Sequence, residues 1–121
     1  MNAMRRRQWQ NGTGTLTVDG LKVAPVEIAA TYRTRRRGLL GRAGIKGAML
    51  LTPCGSVHSM GMRFAIDVAY LDRDLRVLTV RTMPPGRVGL PRPRARHVLE
   101  AEAGALAEWG VRRGVTLTIS A

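Results

Sequence analysis

No apolar stretch of this 121-residue chain runs beyond a few residues before a glycine, a proline or a polar side chain breaks it. A membrane-spanning helix, which needs about 20 consecutive apolar residues, is therefore excluded. What remains is a fold of many short elements joined by turns. The material for a core is present, since 45% of the residues are hydrophobic and 23% charged, too apolar a balance for disorder. A chain of this length is expected to build one domain around one core.

The turn signals divide the chain. Leu16 and Val18 lead into Asp19-Gly20, a dipeptide suited to a two-residue hairpin turn, and Leu21, Val23, Val26 and Ile28 follow. Pro25 predicts an edge position or a bulge. Thr31 is placed to cap a helix over residues 32–41, with Tyr32, Leu39 and Leu40 on one face and Gly41 and Gly44 ending it. Met49, Leu50 and Leu51 form a short buried strand, and residues 54–61 alternate as a further one. Phe64, Ile66, Val68 and Tyr70 share one face of a strand, with Ala65, Asp67, Ala69 and Leu71 on the other. Asp72-Arg73-Asp74 turns the chain into a return strand over residues 75–82. Four of the six prolines fall in residues 83–93, which predicts an extended surface loop. Val98 and Leu99 restart a strand, residues 101–109 read as a second short helix, and Val115, Leu117 and Ile119 alternate as a closing strand. The sum is an α+β, β-rich single domain over residues 15–121, a mainly antiparallel sheet or barrel-like arrangement with two short helices.

Residues 1–14 read as a flexible basic tail, with Met4 as a native start behind a three-residue remnant and only Trp9 as a large apolar anchor. They lack the apolar centre of a signal peptide, so the expected address is the cytoplasm. Cys54 is the single cysteine, which excludes an internal disulfide and any multi-cysteine metal cage. No cofactor is implied, and three ligands for a metal are not assembled by any local spacing.

The net charge is +12, and 18 of the 20 basic residues are arginine. Such a charge attracts polyanions, although an arginine bias of this kind is also what a GC-rich genome produces. Basic and acidic residues number ten and two in residues 1–60, against ten and six in residues 61–121. The five aromatic residues form no stacking platform, and neither helix-turn-helix nor zinc-finger spacing is present. Weak, nonspecific polyanion binding is the expectation.

An ordered set of motifs carries a resemblance. Arg37-Gly38-Leu39-Leu40-Gly41-Arg42, Met49-Leu50-Leu51, the run from Ile66 to Asp72, Met83-Pro84-Pro85, and Val98-Leu99-Glu100 with Gly104 together resemble the prokaryotic family called domain of unknown function 192, over roughly residues 21–119. The resemblance implies a compact β-rich domain and no established reaction, substrate or cofactor. His58 stands where the family usually has tryptophan, and Gly114-Val115 where a Gly-Asp pair is common.

Candidate chemistry rests on a few side chains. On a straight strand Cys54 and His58 would lie roughly 13 Å apart at about 3.3 Å per residue, too far for a thiolate–imidazole pair. The alternative is a buried small hydrophobe beside a packed histidine. Asp67, inside an apolar strand, must find hydrogen bonds or a cation, or take up a proton. It reads either as a pocket acid or as a carboxylate fixing loop amides or pairing with Arg42 or Arg81. Glu100 reads as meeting the positive start of the second helix or as serving a pocket. Arg42 is a candidate anion clamp.

Three functional readings follow. One is a non-enzymatic or accessory domain, monomeric or a small homo-oligomer, binding a small ligand or protein partner through Arg42, His58, Asp67, Arg81 and Glu100 near the 83–93 loop. Another is a small hydrolase or transferase using Asp67, His58 and Glu100. A nonspecific nucleic-acid-binding protein is a third. Asp67 is expected to matter more to folding than the turn acids Asp72 and Asp74.

Overall fold

The computed structural model describes residues 9–120. The expectations for residues 1–8 lie outside them. Seven strands form one sheet: β1 (Gly12–Val18), β2 (Leu21–Ala29), β3 (Ala48–Leu51), β4 (Ile66–Leu71), β5 (Val77–Met83), β6 (His97–Glu102) and β7 (Thr118–Ser120). Helix α1 (Tyr32–Arg37) lies between β2 and β3, and α2 (Ala105–Glu108) between β6 and β7. The spatial order is β5-β4-β6-β3-β2-β1-β7. Only β2 and β3 pair in parallel, and a parallel pair requires the long crossover that carries α1.

The sheet stays open. Its two edges meet at one corner, where the Val77 N–H donates to the Val115 carbonyl at 2.8 Å and the Leu117 N–H to that of Leu75 at 2.9 Å. No strand ladder joins β5 to β7 among the described residues. Both faces are covered. Leu16, Val26, Leu50, Ala69, Leu99 and Ile119 on one face pack with Leu106, Val111 and Leu117. Met49, Leu51, Val68, Tyr70 and Val98 face Leu39, Val57, Met62 and Ala95. Burial on both sides explains why β4 is uniformly buried despite its alternation.

The first turn forms as the sequence predicts. Val18 pairs with Leu21, and Asp19 and Gly20 both take positive φ, 50° and 81°, as the tight hairpin requires. Pro25 sits inside the sheet and not at its edge. Pairing with β3 begins one residue later, at Val26, so the missing N–H breaks no ladder on that side.

Both helices are shorter than their sequence pattern. Thr31 caps α1, its hydroxyl accepting from the Thr34 N–H at 3.2 Å, but Gly38 ends the helix at once with φ 47°. Leu39 then drops into the core while Tyr32 remains exposed. The start expected for α2 belongs instead to β6, because Ala101 and Glu102 pair with Asp67 and Ile66 of β4. Strand pairing there outweighs helical preference.

Residues 54–59 form no strand of their own. Their backbone bonds go to the proline-rich segment, with Cys54 N–H donating to Arg96, Gly89 N–H to Val57 and Arg92 N–H to Gly55. That segment is consequently a folded cover over the sheet, not a free loop. Residues 9–14, expected in the tail, join the fold as well: β1 starts at Gly12, and Trp9 packs edge-on to His97 at 5.6 Å between ring centroids. No helix among the described residues is long and apolar enough to cross a membrane.

Candidate functional site

Glu100 lies on β6 between Met49 of β3 and Val68 of β4. Its side chain therefore rises from the middle of the sheet, on the face under α1. Only 5% of the residue is exposed, and no described group donates a hydrogen bond to its carboxyl. Burial pushes its pKa from the usual value near 4.5 to about 7, because the charged form loses hydration with nothing to replace it.

The carboxyl opens into a cavity of about 90 Å³ bounded by Arg35–Arg37, Gly38, Leu51, Cys54, His58 and Met62 among others. Each wall has a local cause. Gly38 takes φ 47°, a conformation that favours glycine, and a Cβ built there would lie in van der Waals contact with Glu100 Oε1 at 4.0 Å. The Arg35 guanidinium donates to the carbonyls of Ala30 and Thr52 at 3.1 and 3.3 Å, which fastens α1 to the end of β3. The Cys54 thiol donates to the Ser56 carbonyl at 3.1 Å. Burial above all pushes that thiol's pKa up, and the nearby Glu100 adds to the effect. The thiol is thus protonated at neutral pH and is not an activated nucleophile.

The predicted site residues divide between places. His58, Cys54 and Glu100 line this one cavity, the chain having bent after residue 53 instead of running straight. Asp67 is on the opposite face of the sheet. Its Oδ2 accepts from the N–H groups of Gly104 and Leu106 at 2.8 and 3.3 Å, and its Oδ1 from the Thr82 hydroxyl at 2.7 Å. The carboxylate that meets the start of α2 is Asp67, and Glu100 faces away from it. Arg42 holds Glu27 through two bonds of 2.7 and 2.9 Å, and so pairs with neither Asp67 nor Glu100. Arg81 lines a separate and wider groove along β5. Arg35, Gly38 and Met62 were not singled out by sequence reading. The Arg-Gly-Leu-Leu-Gly run was the available signal, since a glycine ending a helix beside a buried leucine marks a close approach.

The cavity holds one carboxyl, one thiol and one imidazole, and no group of three metal-ligating side chains occurs among the described residues.

The sequence profile of DUF192, described as "Uncharacterized ACR", matches residues 14–119. A UPF0127 protein of Pyrococcus horikoshii is 32% identical over 84 residues, spanning 65% of this chain and 73% of its own length. A UPF0127 protein of Thermococcus gammatolerans is 32% identical over 95 residues, spanning 74% of this chain and 62% of its own. A solved protein of unknown function from Novosphingobium aromaticivorans shares the fold with a TM-score of 0.72 at 20% identity, over 88% of this chain and 83% of that one.

Proposed function

This chain belongs to DUF192, a family without an established biochemical function, and we propose that the chain is a binding module for a small molecule that accepts a hydrogen bond from Glu100. The observation that carries this reading is a carboxyl that is nine-tenths buried, lacks a partner and opens into a cavity. A carboxyl stripped of most of its hydration costs free energy, part of which a bound acceptor would recover. With a pKa of about 7, Glu100 is protonated below neutrality and donates. Three arginines at the cavity wall favour a carbonyl or carboxylate end over a cation. A volume of about 90 Å³ corresponds to roughly three waters' share of liquid, which suits a short-chain molecule.

Three probes with one apolar body test the reading: propionate, propionamide and propylammonium, titrated by NMR at pH 6 and pH 8. Propionate and propionamide are expected to shift resonances around Glu100 at pH 6 and to weaken at pH 8, and Glu100→Gln to abolish the pH dependence. Binding by propylammonium alone, or by none of the three, overturns it.

The same pKa favours a second reading, in which Glu100 is a general acid–base group in a cavity that His58 also lines. That reading expects turnover of a small activated ester with an inflection near pH 7 that Glu100→Gln removes. A binding module gives none.

A further inference from the structure

Along the outer strand β5 runs a groove of about 1060 Å³ that shares no lining residue with the Glu100 cavity. Arg76, Arg81, Arg92, Arg94 and Arg113 line it, with Asp72 as the one acid. Asp72 is already engaged: its Oδ1 accepts from the N–H groups of Asp74 and Arg76 at 2.8 and 3.0 Å. The ion pair found among the described residues, Arg42 with Glu27, lies elsewhere. Five arginines therefore line one groove with a single carboxylate among them, and that carboxylate is turned to backbone N–H groups.

The groove is also partly fixed in shape. The Arg92 guanidinium lies over the Tyr70 ring at 5.1 Å from its centroid, and its Nε is buried without a hydrogen-bond partner. Gly89 secures the arrangement, since a Cβ there would stand 2.8 Å from the Tyr70 hydroxyl. Tyr70 itself is almost fully buried, so no aromatic face in the groove is open for a base to stack upon. The planar guanidinium fork matches phosphate oxygens in pairs.

We propose that this groove binds a chain of adjacent phosphates, recognised by charge and guanidinium geometry and not by any attached base. Inorganic oligophosphate and the phosphate tail of a nucleotide offer the same chemistry, and the test separates them.

The experiment is calorimetric titration of the full chain with tripolyphosphate, ATP, inorganic phosphate and a random DNA duplex, at 50 and 200 mM salt. Tripolyphosphate is expected to bind at least tenfold more tightly than inorganic phosphate. ATP should match tripolyphosphate within threefold if the base adds nothing; a nucleotide preference beyond tenfold overturns recognition by phosphate alone. R92A is expected to weaken tripolyphosphate at least fivefold. The double variant R94A/R113A, on exposed loops, should do the same should R92A disturb packing around Tyr70. The double variant K22A/R33A removes two charges outside the groove and should change affinity less than twofold. An equal loss in K22A/R33A would reduce the effect to net charge and overturn the proposal. So would duplex DNA binding without tripolyphosphate binding. Glu100 is not part of this groove, so E100Q should leave tripolyphosphate affinity unchanged, whatever becomes of the small-molecule reading.

Discussion

A glutamate that ionises near neutrality inside a fold weakens that fold as pH rises. Between pH 4.5 and about 7 the folded chain keeps a proton on Glu100 that the unfolded chain has released. Stability therefore falls across this window and is level above it. The shift from 4.5 to about 7 corresponds to about 3 kcal/mol at pH 8. Glu100→Gln removes the titration while keeping the shape. It is expected to melt above the wild type at pH 8, by on the order of 10 °C, with the advantage fading toward pH 4.5. Melting curves at pH 4.5, 6 and 8 check this, and a difference independent of pH would place the carboxyl in water. Glu27 illustrates the opposite sign, since its hydrogen bond from Arg42 holds its carboxyl below the usual range. Both partners are about two-fifths exposed, so that pair contributes under about 1 kcal/mol.

Among the elements, α2 depends most on a single side chain outside itself. A helix of four residues does not persist on its own, and Asp67 of β4 supplies the acceptor for two N–H groups at its start while holding Thr82 of β5. Asp67→Ala would leave the buried Leu106 N–H unmet and free the more exposed Gly104 and Thr82 donors to water, at a cost of roughly 1–3 kcal/mol. The turn acids are not equivalent controls. Asp72 accepts from two backbone N–H groups in a turn where Leu75 takes φ 67°, so its removal carries a cost of its own. Asp74 is exposed, and Asp74→Ala should stay within about half a kcal/mol. Urea melts of the two alanine variants make the comparison. Equal stability would show that Asp67 does not hold α2 to the sheet.

At the scale of the whole molecule, the parts legible in the sequence are those a single local rule decides. The Asp19-Gly20 turn needs positive φ, the alternation of residues 66–71 sets two faces, and β-branched content marks the return strand expected over residues 75–82 and found at Val77–Met83. The face taken by Glu100 was not legible, because it depends on where β6 stops. Pairing with β4 carries that strand through Glu102, and parity then turns Glu100 from the α2 side to the α1 side. Nor could spacing assemble a cavity from residues 35–38, 54–58 and 100, which only the β2–β3 crossover and the folded cover bring together. Burial on both faces predicts a gradient of local stability. Amides of β4 and β6 are expected to exchange with solvent slowest, and those of β7 and the outer side of β5 fastest. Hydrogen-exchange mass spectrometry checks the order, and faster exchange in β4 than in β7 would contradict it. The pairing of β1 with β7, Leu16 opposite Ile119, has a consequence during synthesis. A ribosome makes β1 first among these strands and β7 last, so Leu16 and Val18 wait uncovered while some hundred residues emerge. For that interval the β1–β2 hairpin presents one open backbone edge, along β1, to its neighbours, and a chaperone's protection matters most just before the last strand closes it.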